Sequence, residues 1–212
     1  MEKKELSKSV LKRLPGYLTY LKSLSESNNL YISATALANA LGMGEVQVRK
    51  DLAAVSSGGR PKVGYHRESL IDDIEQFLGY DNTHNAVLVG AGKLGLALLD
   101  YVGFEAYGLE ILAAFDVAPS VSVTRSGKAV MAMDKLEGFC RANKVCMGII
   151  TVPAAHAQQV CDQMIRSGIR AIWNFAPTHL EVPENILVQN ENMATSLAVL
   201  SMHLQAQMKE KK

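Results

Sequence analysis

Residues 86–95 read Ala-Val-Leu-Val-Gly-Ala-Gly-Lys-Leu-Gly, a short apolar run followed at once by three closely spaced glycines. Gly90, Gly92 and Gly95 have the G-x-G-x-x-G spacing of a turn that joins a parallel strand to a helix. In such a turn the first glycine permits the tight bend, the second lets a pyrophosphate approach the backbone, and the third lets the helix pack on the strand. The stretch therefore predicts the opening strand, turn and helix of a dinucleotide-binding Rossmann domain.

An alternation of apolar runs and helical periods follows this stretch. Such alternation is typical of an α/β domain with a mostly parallel sheet and helices on both faces. A closing helix over 193–208 carries an apolar stripe of Met193, Leu197, Leu200 and Leu204. Strands are predicted at 86–90, 109–116, 145–152, 170–175 and 186–190, and further helices at 93–102, 133–143 and 154–167.

The carboxyl ends of these strands supply the candidate cofactor residues, because such sheets bind ligands at that edge. Asp116 lies 21 residues after Gly95, where a carboxylate can accept the hydroxyls of the adenosine ribose and would repel a 2′-phosphate. NAD(H) is therefore expected in preference to NADP(H). The candidates are Gly90, Ala91, Gly92, Lys93, Leu94, Gly95, Asp116, Thr151, Val152, Pro153, Asn174, Ala176 and Pro177.

Upstream of the glycine turn, residues 33–55 are predicted to form two short helices joined by Gly42-Met43-Gly44. Ser33 is the expected N-cap of the first helix. Apolar residues four and seven positions apart give the second helix, 45–55, one face that packs against the first. This arrangement is typical of a helix-turn-helix.

The exposed face of the second helix carries Gln47 and Lys50, with Arg49 at its side. Such a face can enter a major groove, where glutamine can read adenine and lysine or arginine can read guanine. Asp51 would repel phosphate, and we interpret it as the intramolecular partner of a nearby basic group. A surface helix with a solvated polar face is the alternative interpretation.

Residues 56–65 contain too many helix-breaking residues for a helix and are predicted to form a small hairpin, the wing of a winged helix. Arg60 and Lys62 on this hairpin could reach phosphates or a neighbouring minor groove. Residues 1–70 hold 11 Lys and Arg against 6 Asp and Glu, whereas 71–212 hold 11 against 15. The basic first third suggests a polyanion partner. The candidate DNA-binding residues are Gln47, Arg49, Lys50, Arg60 and Lys62.

Composition and motifs argue against several other classes. The N-terminus lacks the apolar segment of a signal peptide, and no apolar run reaches the roughly 18–20 residues of a membrane span, so a cytoplasmic protein is expected. Cys140, Cys146 and Cys161 are odd in number and lack CxxC spacing. They predict buried, reduced thiols and no metal site, although a redox-reactive thiol stays open.

A dehydrogenase is not expected. Fewer than 100 residues follow Asp116, which suffices to complete the sheet but leaves no room for a catalytic domain. No Tyr-x-x-x-Lys pair occurs, and capping or surface hydrogen bonding is favoured for His156 and His179. Two alternatives stay open: an enzyme subunit that binds a nucleotide or coenzyme A, and an architectural DNA-binding protein with a vestigial Rossmann domain.

Seven segments, in order and spread over most of the chain, resemble the Rex family of redox-sensing transcriptional repressors. They are Gln-Val-Arg-Lys-Asp-Leu-Ala (47–53), Val-Gly-Tyr (63–65), Gly-Ala-Gly-Lys-Leu-Gly-Leu-Ala-Leu (90–98), Ala-Phe-Asp (114–116), Thr-Val-Pro (151–153), Gly-Ile-Arg-Ala-Ile-Trp-Asn-Phe-Ala-Pro (168–177) and Val-Pro-Glu (182–184).

The resemblance implies a winged-helix DNA-binding domain over 1–80, a Rossmann NAD(H)-binding domain over 81–190, and a dimerisation helix over 191–212 that is exchanged between the subunits of a homodimer. It implies a repressor that binds double-stranded, palindromic operator DNA, with NAD⁺ permitting binding and NADH causing release. On the same basis Tyr101 and Met193 join the cofactor candidates.

Three features depart from the family pattern. The wing reads Val-Ser-Ser-Gly-Gly-Arg-Pro-Lys-Val-Gly-Tyr, where many relatives have Phe-Gly-x-Phe-Gly-x-Arg-Gly-x-Gly-Tyr, so operator preference can differ. Some relatives have an arginine near Thr19 and an aspartate at Asn192, which act with Tyr101 to join the two domains in one state. Neither charge is present here, and a Thr19–Asn192 or Tyr101–Asn192 hydrogen bond could replace them. Lys93 stands where relatives often carry Asn or Arg, and could contact a phosphate.

Overall fold

A computed structural model of the chain describes residues 7–25, 30–80 and 84–210. The chain divides into two compact units, Met1–Asn82 and Thr83–Lys212. The sequence also predicts a helix over 8–28 and a polar linker over 80–85, and residues 26–28 and 81–83 of these segments lie outside the described residues. The separate C-terminal segment at 191–212 stays a prediction.

The first unit packs four helices around one apolar core and pairs two short strands, which confirms the predicted winged helix-turn-helix. The two strands pair in antiparallel fashion, Tyr31 opposite His66 and Ile32 opposite Tyr65. This strand pair was not predicted. The elements are α1 (Lys8–Ser23), β1 (Tyr31–Ile32), α2 (Ala34–Leu41), α3 (Glu45–Val55), β2 (Tyr65–His66) and α4 (Arg67–Leu78).

Local chemistry explains the turns of this unit. The Ser33 hydroxyl accepts a hydrogen bond from the Ala36 amide at 3.0 Å, which is the predicted N-cap of α2. Gly42 ends α2 in the left-handed conformation. The predicted wing forms between α3 and β2, with Arg60 and Gly64 bridged across it. Gly64 has φ +95°, and a Cβ there would lie 2.3 Å from the Ile32 carbonyl oxygen, so only glycine lets the wing run this close to β1.

The second unit is a six-stranded sheet in the order β5-β4-β3-β6-β7-β8, and every neighbouring pair is parallel. One apolar cluster covers each face, which confirms the Rossmann-like fold. Strand β5 was not predicted. The elements are β3 (His84–Val89), α5 (Lys93–Leu99), β4 (Leu109–Asp116), β5 (Ala129–Ala132), α6 (Leu136–Ala142), β6 (Met147–Ile150), α7 (Ala154–Arg166), β7 (Ala171–Asn174) and β8 (Leu187–Asn190), with 3₁₀ turns at Val102–Tyr107 and Met133–Lys135.

Helix α8 (Met193–Glu210) closes the chain and leaves its apolar side chains uncovered. Leu197, Leu200 and Leu204 of the predicted stripe are 63%, 64% and 55% exposed. The side chain of Met193 lies outside the described part of the chain. A protein normally buries such a stripe, so α8 has the surface that an exchanged helix needs, and the exchange itself stays a prediction.

Two of the three thiols lie in the core of the second unit. Cys140 and Cys161 are buried, and burial raises the pKa of each to about 11. Cys146 is half-buried. Among the described residues no group of three or more His, Cys, Asp or Glu side chains is placed to hold a metal ion. None of the described helices is both long and apolar enough to cross a membrane.

Candidate functional site

The carboxyl ends of β3, β4 and β6 open into a cavity of about 620 Å³. It lies beside β3, where the strand order of the sheet reverses, the usual ligand position in open α/β sheets. The predicted residues Gly90, Gly92, Asp116, Thr151, Val152 and Pro153 line it, together with Val89, Val117, Met133, His156, Gln159, Val160 and Gln163.

The three glycines of the turn have different surroundings. Gly90 has φ +108°, and a Cβ there would lie 2.9 Å from the Thr151 backbone. A Cβ at Gly95 would lie 1.9 Å from the Gly90 carbonyl oxygen. Among the described residues, apart from the two chain neighbours of Gly92, no heavy atom lies within 4 Å of a Cβ added there. Gly90 and Gly95 are therefore required by the turn itself, whereas Gly92 borders open space where a pyrophosphate would fit against the backbone.

The Asp116 carboxylate is tied to the glycine turn. Its Oδ2 accepts from the Ala91 amide at 2.7 Å, and its Oδ1 accepts from the Ala118 amide at 2.9 Å. Each carboxylate oxygen can accept more than one hydrogen bond, so this carboxylate remains able to receive ribose hydroxyls. Thr151 closes the other side by donating from Oγ1 to the Gly90 carbonyl at 2.7 Å.

The other cofactor candidates do not line this cavity. Asn174 is fully buried and donates to the Ala176 and Thr178 carbonyls and to Asn190 Oδ1 at 3.2, 3.0 and 2.8 Å. Its amide therefore fixes the loop after β7. The remaining candidates outside the cavity are the buried Ala91, Gly95 and Ala176, the exposed Lys93, Leu94 and Pro177, Met193, whose side chain lies outside the described part of the chain, and Tyr101, which is 54% exposed with its ring edge-on to Phe104.

Sequence reasoning missed one wall of the cavity, which α7 supplies. The cavity-facing residues of α7 are spaced at helical intervals: His156, Gln159, Val160 and Gln163. This spacing, directly after a strand end where a ligand binds, was the signal in the sequence that could have predicted them. Val117, also missed, follows Asp116 and is 88% exposed. The apolar side chains of the cavity suit a base, the Asp116 carboxylate beside them suits a ribose, and the open space at Gly92 suits phosphates.

The predicted DNA-binding residues are exposed on α3 and on the wing. Arg49 pairs with Glu45 one turn earlier on α3. Arg49, Arg60 and Lys62 line one depression of about 530 Å³, and Ser33, Ala34 and Thr35 at the start of α2 lie on its other side. Three cations and a helix N-terminus around one depression suit the phosphates of a nucleic-acid backbone.

Asp51 has the intramolecular basic partner that its charge predicted. Arg13 on α1 donates from Nε and Nη2 to its two oxygens at 2.8 and 2.9 Å, and Tyr17 Oη donates to Oδ2 at 2.7 Å. Burial, followed by the hydrogen bond to Asp51, raises the pKa of Tyr17 to about 12. The hydrogen bond to Asp51 also raises the pKa of Arg13. This cluster fixes α3 on α1.

Thr19 and Asn192 are each hydrogen-bonded within their own element. Thr19 Oγ1 donates to the Pro15 carbonyl at 2.9 Å. Asn192 Oδ1 accepts from the Thr195 amide at 3.2 Å at the start of α8. The hydrogen bond predicted to replace the family's charged pair stays a prediction.

Comparison with known proteins gives the same division of the chain. A family profile described as "Putative DNA-binding protein N-terminus" matches residues 5–53, and one described as "CoA binding domain" matches residues 81–178. The redox-sensing transcriptional repressor Rex of Bacteroides fragilis is 42% identical over 191 residues, which cover 90% of this chain and 87% of the relative. The protein of the same description from Clostridium acetobutylicum is 36% identical over 205 residues, 96% of each chain.

Solved structures extend the similarity to the whole fold. The crystal structure of RSP in complex with β-NAD⁺ and operator DNA has a TM-score of 0.88 at 33% identity, and covers 98% of this chain and 96% of that one. The crystal structure of RSP in complex with β-NADH has a TM-score of 0.85 at 33% identity, covering 99% and 100%.

Proposed function

This chain belongs to the Rex family of redox-sensing transcriptional repressors, and we propose that it is a DNA-binding repressor that senses the NADH/NAD⁺ ratio. NAD⁺ permits binding to operator DNA, and NADH releases the protein from it. A protein that binds operator DNA must lie in the compartment that holds that DNA. The cytoplasmic location that the sequence predicts is therefore part of this proposal.

The observation that carries the proposal is the open space at Gly92 beside the Asp116 carboxylate. The backbone at Gly92 would hold the pyrophosphate, and Asp116 would hold the adenosine ribose. Val117, Met133, Val152 and Val160 would cover the adenine ring. Because a carboxylate repels a 2′-phosphate, the site would prefer NAD(H) to NADP(H).

The remaining cofactor candidates would contact the cofactor on the far side of the glycine turn. Lys93 and Leu94 begin α5 next to Gly92, where Lys93 would contact a phosphate. Tyr101 and the loop after β7 would border the nicotinamide end. The cofactor would act as a ligand whose redox state is the signal. The chain would respond to that state without transferring a hydride.

On the DNA side, Lys50 and Gln47 would face the major groove, while Arg49, Arg60 and Lys62 would contact the backbone or the neighbouring minor groove. The apolar stripe of α8 would be buried by exchange with a second subunit. A two-fold dimer presents two such surfaces, which accounts for a palindromic operator.

A second candidate is an enzyme subunit that binds a nucleotide or coenzyme A, and the match of residues 81–178 to the "CoA binding domain" profile favours it. The ribose-binding position of Asp116 argues for a dinucleotide instead. Coenzyme A is therefore included in the experiment.

The experiment is a titration of duplex DNA, first selected by the protein from a random library, with NAD⁺, NADH, coenzyme A or no ligand present. We expect tight binding with NAD⁺ and weak binding with NADH. Identical curves with NAD⁺ and NADH would contradict the sensing proposal. Binding of coenzyme A, with no response to NADH, would favour the enzyme subunit.

A further inference from the structure

The first unit, which carries the proposed DNA-binding surface on α3, contains a side chain that reaches this surface from outside the helix-turn-helix. Arg13 lies on α1, and its guanidinium holds the Asp51 carboxylate through two hydrogen bonds of 2.8 and 2.9 Å. Asp51 has a side chain only 5% exposed and accepts from Tyr17 as well. The position of Arg13 beside α3 is therefore fixed by a buried, fully paired carboxylate.

The same guanidinium also faces Gln47, which the sequence places on the reading face. A guanidinium has N–H donors and no acceptor, so an amide NH₂ turned toward it would oppose donor to donor. With the amide oxygen toward Arg13, Gln47 accepts a hydrogen bond from Nη1 at 2.9 Å and shares with Asp51 Oδ2 the single N–H of Nε, which lies 2.9 Å from the Gln47 oxygen. The Gln47 NH₂ group then points away from Arg13.

This orientation limits what Gln47 can recognise. A bidentate glutamine–adenine pair needs the amide oxygen to accept from adenine N6 and the amide nitrogen to donate to N7. The Arg13 hydrogen bonds commit that oxygen, so Gln47 offers donors only. The acceptors on the major-groove edges are guanine N7 and O6, thymine O4 and adenine N7, and adenine N7 lies beside the N6 donor, which a donor-only Gln47 leaves without a partner. Arg13, Gln47 and Lys50 line one depression at the start of α3, the end of a recognition helix that contacts base edges.

We propose that Arg13 is a positioning residue that sets base specificity: it holds the Gln47 amide so that Gln47 prefers guanine or thymine to adenine. This inference rests on the proposed function and replaces the adenine contact that the sequence alone suggested. It makes α1 part of the recognition apparatus although α1 carries no reading residue.

The test compares the duplexes that the full-length protein and its variants retain from a random DNA library in the presence of NAD⁺. Gln47→Leu identifies the position that Gln47 reads, because the preference there is lost, and guanine or thymine is expected there in the parent. Gln47→Glu keeps one oxygen on Arg13 and turns an acceptor outward, so the preference should move to the bases that present a donor, cytosine through N4 or adenine through N6. Arg13→Met frees the Gln47 amide to rotate, and adenine at this position should rise about fivefold or more.

Each result decides the inference. Adenine at the Gln47-dependent position in the parent, or no such position, would overturn it while leaving the proposed function intact. An unchanged base preference in Arg13→Met would overturn it too. If that variant does not fold by circular dichroism, Gln47→Glu on the exposed surface decides alone, and an unchanged preference for guanine or thymine overturns the inference. Retention of no duplex by the parent would instead overturn the proposed function.

Discussion

At the scale of single residues, Gly92 differs from its neighbouring glycines in what an added side chain would meet. A Cβ at Gly92 enters open space, whereas a Cβ at Gly95 would collide with the Gly90 carbonyl. We therefore expect Gly92→Val to fold normally and to lose NADH binding, because the valine branches fill the pyrophosphate position. Gly95→Ala should instead unfold at a lower temperature. Calorimetry with NADH and thermal unfolding check both, and parent-like NADH binding by Gly92→Val would place the ligand elsewhere.

Asp116 should select between cofactors. Its carboxylate lies at the cavity, and Val117 beside it is largely exposed and so can be changed without disturbing the core. We expect the parent to bind NADH much more tightly than NADPH, and Asp116→Ser combined with Val117→Arg to narrow that preference. The change removes the repulsion of a 2′-phosphate and adds a cation for it. Equal affinity of the parent for the two cofactors, by calorimetry, would contradict the assignment.

Tyr17 should make the free energy of unfolding of the first unit fall at alkaline pH. Its pKa rises from 10.0 to about 12, so between these values the folded state keeps a proton that the unfolded state has lost. The free energy of unfolding then falls as pH rises, by on the order of 2 kcal/mol across that interval. Tyr17→Phe keeps the ring and lacks the titrating group, so the stability difference between parent and variant should shrink. Urea unfolding from about pH 9 to about pH 11.5 measures it, and a constant difference would refute it.

At the scale of elements, α3 and the wing should determine DNA affinity without affecting the cofactor. Arg49→Ala and Lys50→Ala are each expected to weaken operator binding by about 1–3 kcal/mol if the lost contact is to a base, or to lower the salt slope by roughly one if it is to a phosphate. NADH affinity should stay unchanged in both. The matched control Lys12→Ala changes a charge on α1 outside the helix-turn-helix. Parent-like DNA binding by both α3 variants would remove this helix from the interface.

The sequence predicted the elements whose signal is local. Ser33 and Gly42 fix the ends of α2 by capping, and the G-x-G-x-x-G spacing locates the turn before α5. Strand β5 was missed because Ala129–Ala132 are four residues with weak strand preference, and pairing with β4 supplies what the sequence lacks. The two-residue strands β1 and β2 were missed for a related reason, since their pairing joins residues far apart in the chain.

The candidate site residues also divide into those with a local signal in the sequence and those that only the folded chain brings together. Gly92, Asp116 and Thr151 belong to strand ends, and a parallel sheet brings such ends together, so spacing along the chain was enough to predict them. The α7 wall depends on which face of a helix turns toward the cavity, and His156 on that face was not among the predicted cofactor residues. Asp51 shows the opposite outcome: its charge on a DNA-reading helix required a basic partner, and only folding could identify Arg13.

At the scale of the whole molecule, NADH and operator should bind with negative coupling, each lowering the affinity of the other by the same factor. We expect a coupling free energy on the order of 1–3 kcal/mol. Thr19 and Asn192 lack the charges of the family's switch, so Thr19→Arg together with Asn192→Asp should change the coupling more than either change alone. Operator titrations at saturating NADH and NAD⁺ for the four proteins measure this. A double variant whose coupling changes no more than that of either single variant would contradict the prediction.

The two core thiols determine which kind of chemical signal reaches this protein. A thiol reacts with peroxide as its thiolate, and with a pKa of about 11 only about one in 10⁴ of the Cys140 or Cys161 groups is ionised at neutral pH. Burial also keeps oxidants away from both sulfurs. An oxidative burst that consumes the cell's NADH would therefore change the repressor's ligand before it damaged the repressor's core. Cys140 and Cys161 then stay reduced while the bound ligand reports the supply of reducing equivalents.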